Sequence, residues 1–187
     1  MRGSALVFFL CLILTAATAS AVMMALTTDE ITKSSDIVIR GTVQRVESYW
    51  SDDGKSIMSR ATVLVIEKIR GRIVPHQVVV EYAGGEIGDL GYRVSDSVSF
   101  EEGEDTLLFL RGPIARNKPV QAAPGSQDQL VDQPEGYEMV GKAQGKYTID
   151  HLGIARKRGF SVVGKPGTID NNIPVEELIR KIKEADK

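Results

Sequence analysis

Few residues of this 187-residue chain are of types that do chemistry. Its two histidines, His76 and His151, are the residues of a type that could serve as neutral-pH bases. His76 follows Pro75 between two strand-like runs and His151 ends another, so both read as solvated loop residues. Adjacent acids stand at Asp52-Asp53 and Glu101-Glu102. They lie beside glycine in turn-like sequence, where carboxylates are solvated rather than paired for acid–base work. "GGEIGDLG", residues 84–91, has the glycine density of a phosphate-cradling loop. It lacks the strand-then-helix context that gives such a loop its force. No G-x-S-x-G, H-E-x-x-H, P-loop or D-x-D-x-D-G pattern occurs. The chain therefore reads as non-enzymatic, with no catalytic residue, metal ligand or cofactor assigned.

What the residues offer instead is contact. Tyr49 and Trp50 close the run "SSDIVIRGTVQRVESYW" at 34–50, and Tyr82 closes "QVVVEY". These three are the candidate ligand-contact residues. Trp50 is the one tryptophan; exposed, it would suit a sugar ring or a protein hot spot. Its parity with Val46 would equally let it plug the end of a barrel. Both readings stand at this stage.

The elements that must carry these residues begin after a leader. Met1-Arg2 precedes an apolar run that is greasiest from Leu6 to Leu14, and small residues follow at Ala17 to Ala21. That layout predicts a secretory signal over 1–21. The competing reading is an uncleaved membrane anchor, since Gly3 to Leu26 is long enough to span a bilayer. The domain is placed outside the cytoplasm in either case, secreted or on the exterior of the cell envelope. Cys11, the one cysteine, falls inside this segment, so the exported chain is expected to be cysteine-free, with neither thiol nor disulfide. Of 23 basic and 25 acidic residues only Arg2 lies in the leader, leaving a net charge of −3. A mildly acidic chain is a poor match for nucleic acid. The expected partner is an extracellular protein or glycan, with the membrane involved only if the leader is uncleaved.

Past the leader, Thr27 and Glu30 form a capping-box pair, with Leu26 and Ile31 placed as a hydrophobic staple. A short helix should lead into the strand at 37–50. In that strand Ile37, Ile39, Gly41 and Val43 share a face, but Val46 and Trp50 have the opposite parity. One extra residue near Gln44-Arg45 restores a single apolar face, the signature of a β-bulge. Gly41 and the bulge together predict a strongly coiled strand of the kind that turns a barrel corner. "SDDGK" at 51–55 is a turn, and Ser56 to Arg70 a second long strand. Its centre, Val63 to Ile66, is apolar at every position and is expected to be covered on both sides. "QVVVEY" is a third strand, 84–103 a glycine-spaced loop, and "EDTLLFLRG" a short buried strand. Residues 113–135, with prolines at 113, 119, 124 and 134, read as a long surface loop. A hairpin is expected around Lys142 to Gly145, and a further short strand in "FSVVGKPG". Val175, Leu178, Ile179 and Ile182 fall at i, i+3, i+4 and i+7, which predicts a terminal amphipathic helix.

The expected fold is mainly β: an OB-like small β-barrel over 26–151, with a short N-terminal helix and a C-terminal extension over 152–187 that ends in the amphipathic helix. "SDIVIRGTV", "ATVLVIEKIRG" and "EDTLLFLRG" resemble the N-terminal OB-type domain of tissue inhibitors of metalloproteinases and netrin-like modules. A group of secreted microbial proteins of unknown role is similar in the same features. The resemblance spans roughly residues 26–111 and implies a fold. It implies no site, because the inhibitors chelate zinc through an N-terminal cysteine that the exported chain lacks. The function expected is an exported binding or interaction module; the alternative is a peptidase inhibitor acting through a loop.

Overall fold

A computed structural model describes residues 23–72, 74–114, 136–165 and 167–187. The leader at 1–21, and 115–135 of the expected long loop, lie outside the described residues. The chain is mainly β. It enters through β1 (Met23–Met24) and turns into helix α1 (Thr28–Lys33). The capping box is formed: Thr27 accepts from Glu30 N, and Glu30 accepts from Thr27 N at 2.8 Å. Leu26 packs against the cluster that holds Ile31.

Three long strands follow, β2 (Ile37–Trp50), β3 (Ile57–Arg70) and β4 (Gln77–Ala83). β2 and β3 pair antiparallel from Val38–Arg70 to Trp50–Ile57, with a register shift between Val43 and Arg45 where the parity slip placed a bulge. Two more shifts, at Val38/Ile39 and Arg40/Gly41, coil the strand further. β3 and β4 are also antiparallel. The expected loop at 84–103 holds a tight hairpin instead, β5 (Gly85–Ile87) against β6 (Leu90–Tyr92), and then sends Val98 and Phe100 into the core.

β7 runs Asp105–Ile114, so Pro113 belongs to this strand and not to the loop that sequence assigned it. β8 (Gly136–Met139) pairs in parallel with β4 and antiparallel with β7, while β7 also pairs antiparallel with β2. A 3-10 turn at Lys142–Gly145 then leads to β9 (Lys146–Ile149). The hairpin expected there does not form. β8 and β9 follow one another along a single edge of β7, and the 3-10 turn is the break between them. β10 (Ile154–Arg156), β11 (Val162–Val163), β12 (Ile173–Pro174) and helix α2 (Val175–Ala185) complete the chain. β11 is the short strand expected in "FSVVGKPG", and it pairs in parallel with β1.

Two apolar clusters hold this together. One contains Ile39, Val63, Val80, Phe100, Leu108 and Leu110. The other contains Ile31, Leu107, Phe109, Tyr147 and the α2 stripe Val175, Leu178, Ile179 and Ile182. β7 lies between them, and alternate side chains of Leu107 to Leu110 enter opposite clusters, all fully buried. At ~2 kcal/mol for each large apolar side chain removed from water, this strand is a major anchor of the fold. The centre of β3 behaves differently. Val63 is buried, but Leu64 and Ile66 are 40% and 60% exposed, so the expectation of cover on both faces fails there. α2 packs in the cluster that also takes Leu107 and Phe109, and leaves the β3 centre bare.

Candidate functional site

The excursion between β4 and β7 is positioned by hydroxyls and one glycine. Ser59 Oγ donates to Gly84 O at 2.6 Å, so its contact with Ser48 Oγ at 2.9 Å is one it accepts. Ser48 Oγ in turn receives Glu86 N at 3.3 Å, and Ser97 Oγ donates to Ala83 O at 2.6 Å. Gly85 has φ +139°, and a Cβ there would fall 2.2 Å from Ser59 Oγ and 2.4 Å from Ser48 Oγ. Only glycine lets the hairpin lie this close to β2 and β3.

Under the excursion lies a groove of about 1030 Å³ whose walls include Val46, Ser48, Tyr82, Tyr92 and Phe100. Tyr82 meets the ring of Phe100 at a centroid distance of 5.4 Å with the planes tilted by 52°. Burial pushes the Tyr82 phenol above its ordinary range, so it stays a neutral hydroxyl. A second cleft of about 570 Å³ shares the Ser97–Ser99 wall and Gly159 with the first.

The floor of this second cleft is an ion pair with 12% exposure on each side chain, Lys146 with Glu104. Lys146 Nζ donates to Glu104 Oε2 at 2.6 Å and to Ser99 O at 2.5 Å, and stands 4.4 Å over the Phe100 ring. Thr148 Oγ1 donates to the other oxygen of Glu104. Burial pulls the Lys146 amine below its usual range, and the Glu104 carboxylate opposes that shift. With both groups committed, the pair fastens the 99–104 segment to β9 and fixes the wall between the two clefts.

The structure separates the three candidate contact residues. Tyr82 lines the larger groove. Tyr49 lies beneath the Arg60 guanidinium, 4.4 Å from its ring centroid, and Arg60 also holds Glu81 at 3.0 Å. Trp50 is 47% exposed at the end of β2, which excludes the plug reading. His76 and His151 are exposed, as are Asp52, Asp53, Glu101 and Glu102. Among the described residues no three His, Cys, Asp or Glu side chains gather as a metal site, and no helix is long and apolar enough to cross a membrane. Sequence reasoning passed over Ser48, Ser59, Gly85, Glu104 and Lys146. Gly84-Gly85 was the visible signal of a close approach, whereas the serines and the ion pair come from distant strands. Compared with known proteins, the chain matches no family model and no curated sequence.

Proposed function

We propose that the protein is an exported binding module on an OB-like barrel, which takes an extracellular protein or glycan in the groove under the 84–103 excursion. The observation that carries this reading is the groove itself. A space of about 1030 Å³ is held open by a hydroxyl network already satisfied without a ligand and is walled by Tyr82, Tyr92 and Phe100. A wall fixed before binding loses little freedom on binding. The barrel is supported by the cycle of pairings β2–β3–β4–β8–β7–β2, with β4 and β8 parallel. Export is supported by the leader pattern at 1–21.

The test is affinity capture from the medium or envelope, with the exported chain as bait, beside a variant in which Gly91→Trp fills the groove. A partner held by the native chain and lost from the variant supports the reading. Equal capture by both sinks it.

The peptidase-inhibitor reading is favoured by the turn at 51–56. Asp53 accepts from Ser51 Oγ at 2.7 Å and Lys55 N at 3.1 Å, so the turn keeps its shape beside exposed Trp50. Unaltered activity of secreted metallo- and serine peptidases in its presence would dismiss that role.

A further inference from the structure

Among the described residues, half of one edge of β2 has no strand partner. On one side β3 accompanies it to Trp50, but on the other the ladder with β7 runs only from Ile37 to Thr42. The turn before β7 adds one step: Gly103 N donates to Val43 O at 2.8 Å, and Val43 N donates to Glu104 O at 2.9 Å. Past the bulge, Val46 N donates not to backbone but to a side chain, Glu102 Oε1, at 3.2 Å. Backbone groups alternate sides along a strand. Ser51 N donates across the hairpin to Ser56 O, so Glu47 and Tyr49 face β3 while Val46, Ser48 and Trp50 face outward. Among the described residues no strand pairs with that outward row.

An open row of this kind is a template for another strand. Its surroundings select the occupant. One exposed carboxylate sits on it, Glu102 on Val46 N, while exposed Glu86 reaches Ser48 through its backbone N–H. The one cation on this stretch, Arg45, is paired with Glu47 at 2.8 Å. The larger groove runs past Val46 and Ser48, which gives the added chain room on its inner side. Trp50 stands at the far end of the row, exposed, as a surface for an incoming side chain.

We propose that Val46, Ser48 and Trp50 form a strand-addition site for an extended peptide segment carrying lysine or arginine. This rests on the binding-module reading and gives it a partner class. The Glu102 carboxylate occupies the place of a strand carbonyl until the peptide arrives, then turns to a basic side chain.

Trp50 is the single tryptophan, so its emission reports on the row directly. The probe is a capped peptide of about eight residues alternating lysine and threonine, long enough to cover the row. It is titrated into the exported protein beside a glutamate–threonine counterpart. Two further probes carry N-methyl groups, one on the lysines and the other on the threonines, which removes backbone donors from one side of the strand at a time. The expected result is saturable change of Trp50 emission with the lysine peptide alone. One methylated form should weaken binding by about tenfold or more while the other is tolerated, and Glu102→Arg should weaken it comparably. Equal tolerance of both methylated forms, equal binding of the acidic peptide, or no binding of any peptide each overturns the inference. None of these outcomes touches groove capture of a glycan, which the Gly91→Trp comparison decides separately.

Discussion

Gly41 and Leu64 approach so closely that a Cβ on Gly41 would stand 2.4 Å from the Leu64 carbonyl oxygen, with Val63 Cγ1 at 2.7 Å. The backbone of β3 occupies the space that any side chain at 41 would need. Neither obstacle is the loose end of a flexible chain, so strand separation is the only relief. The register shift at Arg40/Gly41 marks the same point as the joint where β2 turns. Gly41→Val is expected to lower unfolding free energy by about 3 kcal/mol or more, with Gly41→Ala nearer ~2 kcal/mol. Denaturant midpoints measure both; a variant as stable as the native chain would remove the joint.

Gly85 answers a different demand. Its positive φ and its approach to Ser48 and Ser59 make Gly85→Ala strained in two ways, by backbone conformation and by contact. The expected loss is about 1–3 kcal/mol, concentrated in the excursion. Hydrogen exchange should speed up at Glu86 and Leu90 to Tyr92 while Leu107 to Leu110 keep their protection. Uniform acceleration throughout the chain would show that the hairpin is not a separately held cover.

Some of this architecture is legible along the chain because it is local. Thr27 and Glu30 are three residues apart and declare their own box. The slip from Val43 to Val46 is a parity error that only an extra residue repairs, and α2 shows its stripe within two turns. Apart from the local hairpin in Gly85 to Tyr92, the failures concern partners that arrive from far away. Val63 to Ile66 and Leu107 to Leu110 look alike as apolar runs, yet Leu107 and Phe109 join the cluster that holds the helix α2 stripe, while Leu64 and Ile66 stay in solvent. Ser48 and Ser59 read as ordinary strand residues until Gly84 and Gly85 are laid over them. Of the three contact residues chosen for their chemistry, Trp50 and Tyr82 meet the open edge and the groove, and Tyr49 lies under Arg60 on β3. Residue type suggested contact in each case, but only strand pairing assigns the side.

The Lys146–Glu104 pair is buried deeply enough that its halves are not independent. Glu104→Gln leaves the Lys146 amine facing the Phe100 ring without its charge partner, and Lys146→Met strands Glu104 beside Thr148. Each single change is expected to destabilise by about 3 kcal/mol, the range for breaking a buried pair. The double change should come to well below the sum, because neither charge is then left alone. A double-mutant cycle by thermal or denaturant unfolding measures this. Additive losses would show that the two groups act separately.

Lys157 is the counterexample, a buried cation with no hydrogen-bond partner among the described residues. It is 5% exposed, its Nζ makes no hydrogen bond, and it stands 4.5 Å over the Tyr147 ring. Burial pulls its pKa from 10.5 to about 8, opposed by the Asp170 carboxylate, which Lys181 already holds at 2.5 Å. The unfolded chain therefore binds more protons than the folded one between about pH 8 and 10.5, and stability rises with pH across that window. Below pH 8 the lysine is charged in both states and the penalty is constant at about 3 kcal/mol, from 1.36 kcal/mol per pH unit. Burial also raises the Tyr147 phenol, which makes stability fall at higher pH, so the rise is best read up to pH 10. Lys157→Met keeps the volume and removes the charge. It should be more stable than the native chain at pH 7, by ~1–3 kcal/mol, and the gap should close as pH rises from 8 to 10. Unfolding midpoints of the two proteins across that range are the measurement, and parallel curves would mean that Lys157 keeps its proton in the folded state without penalty.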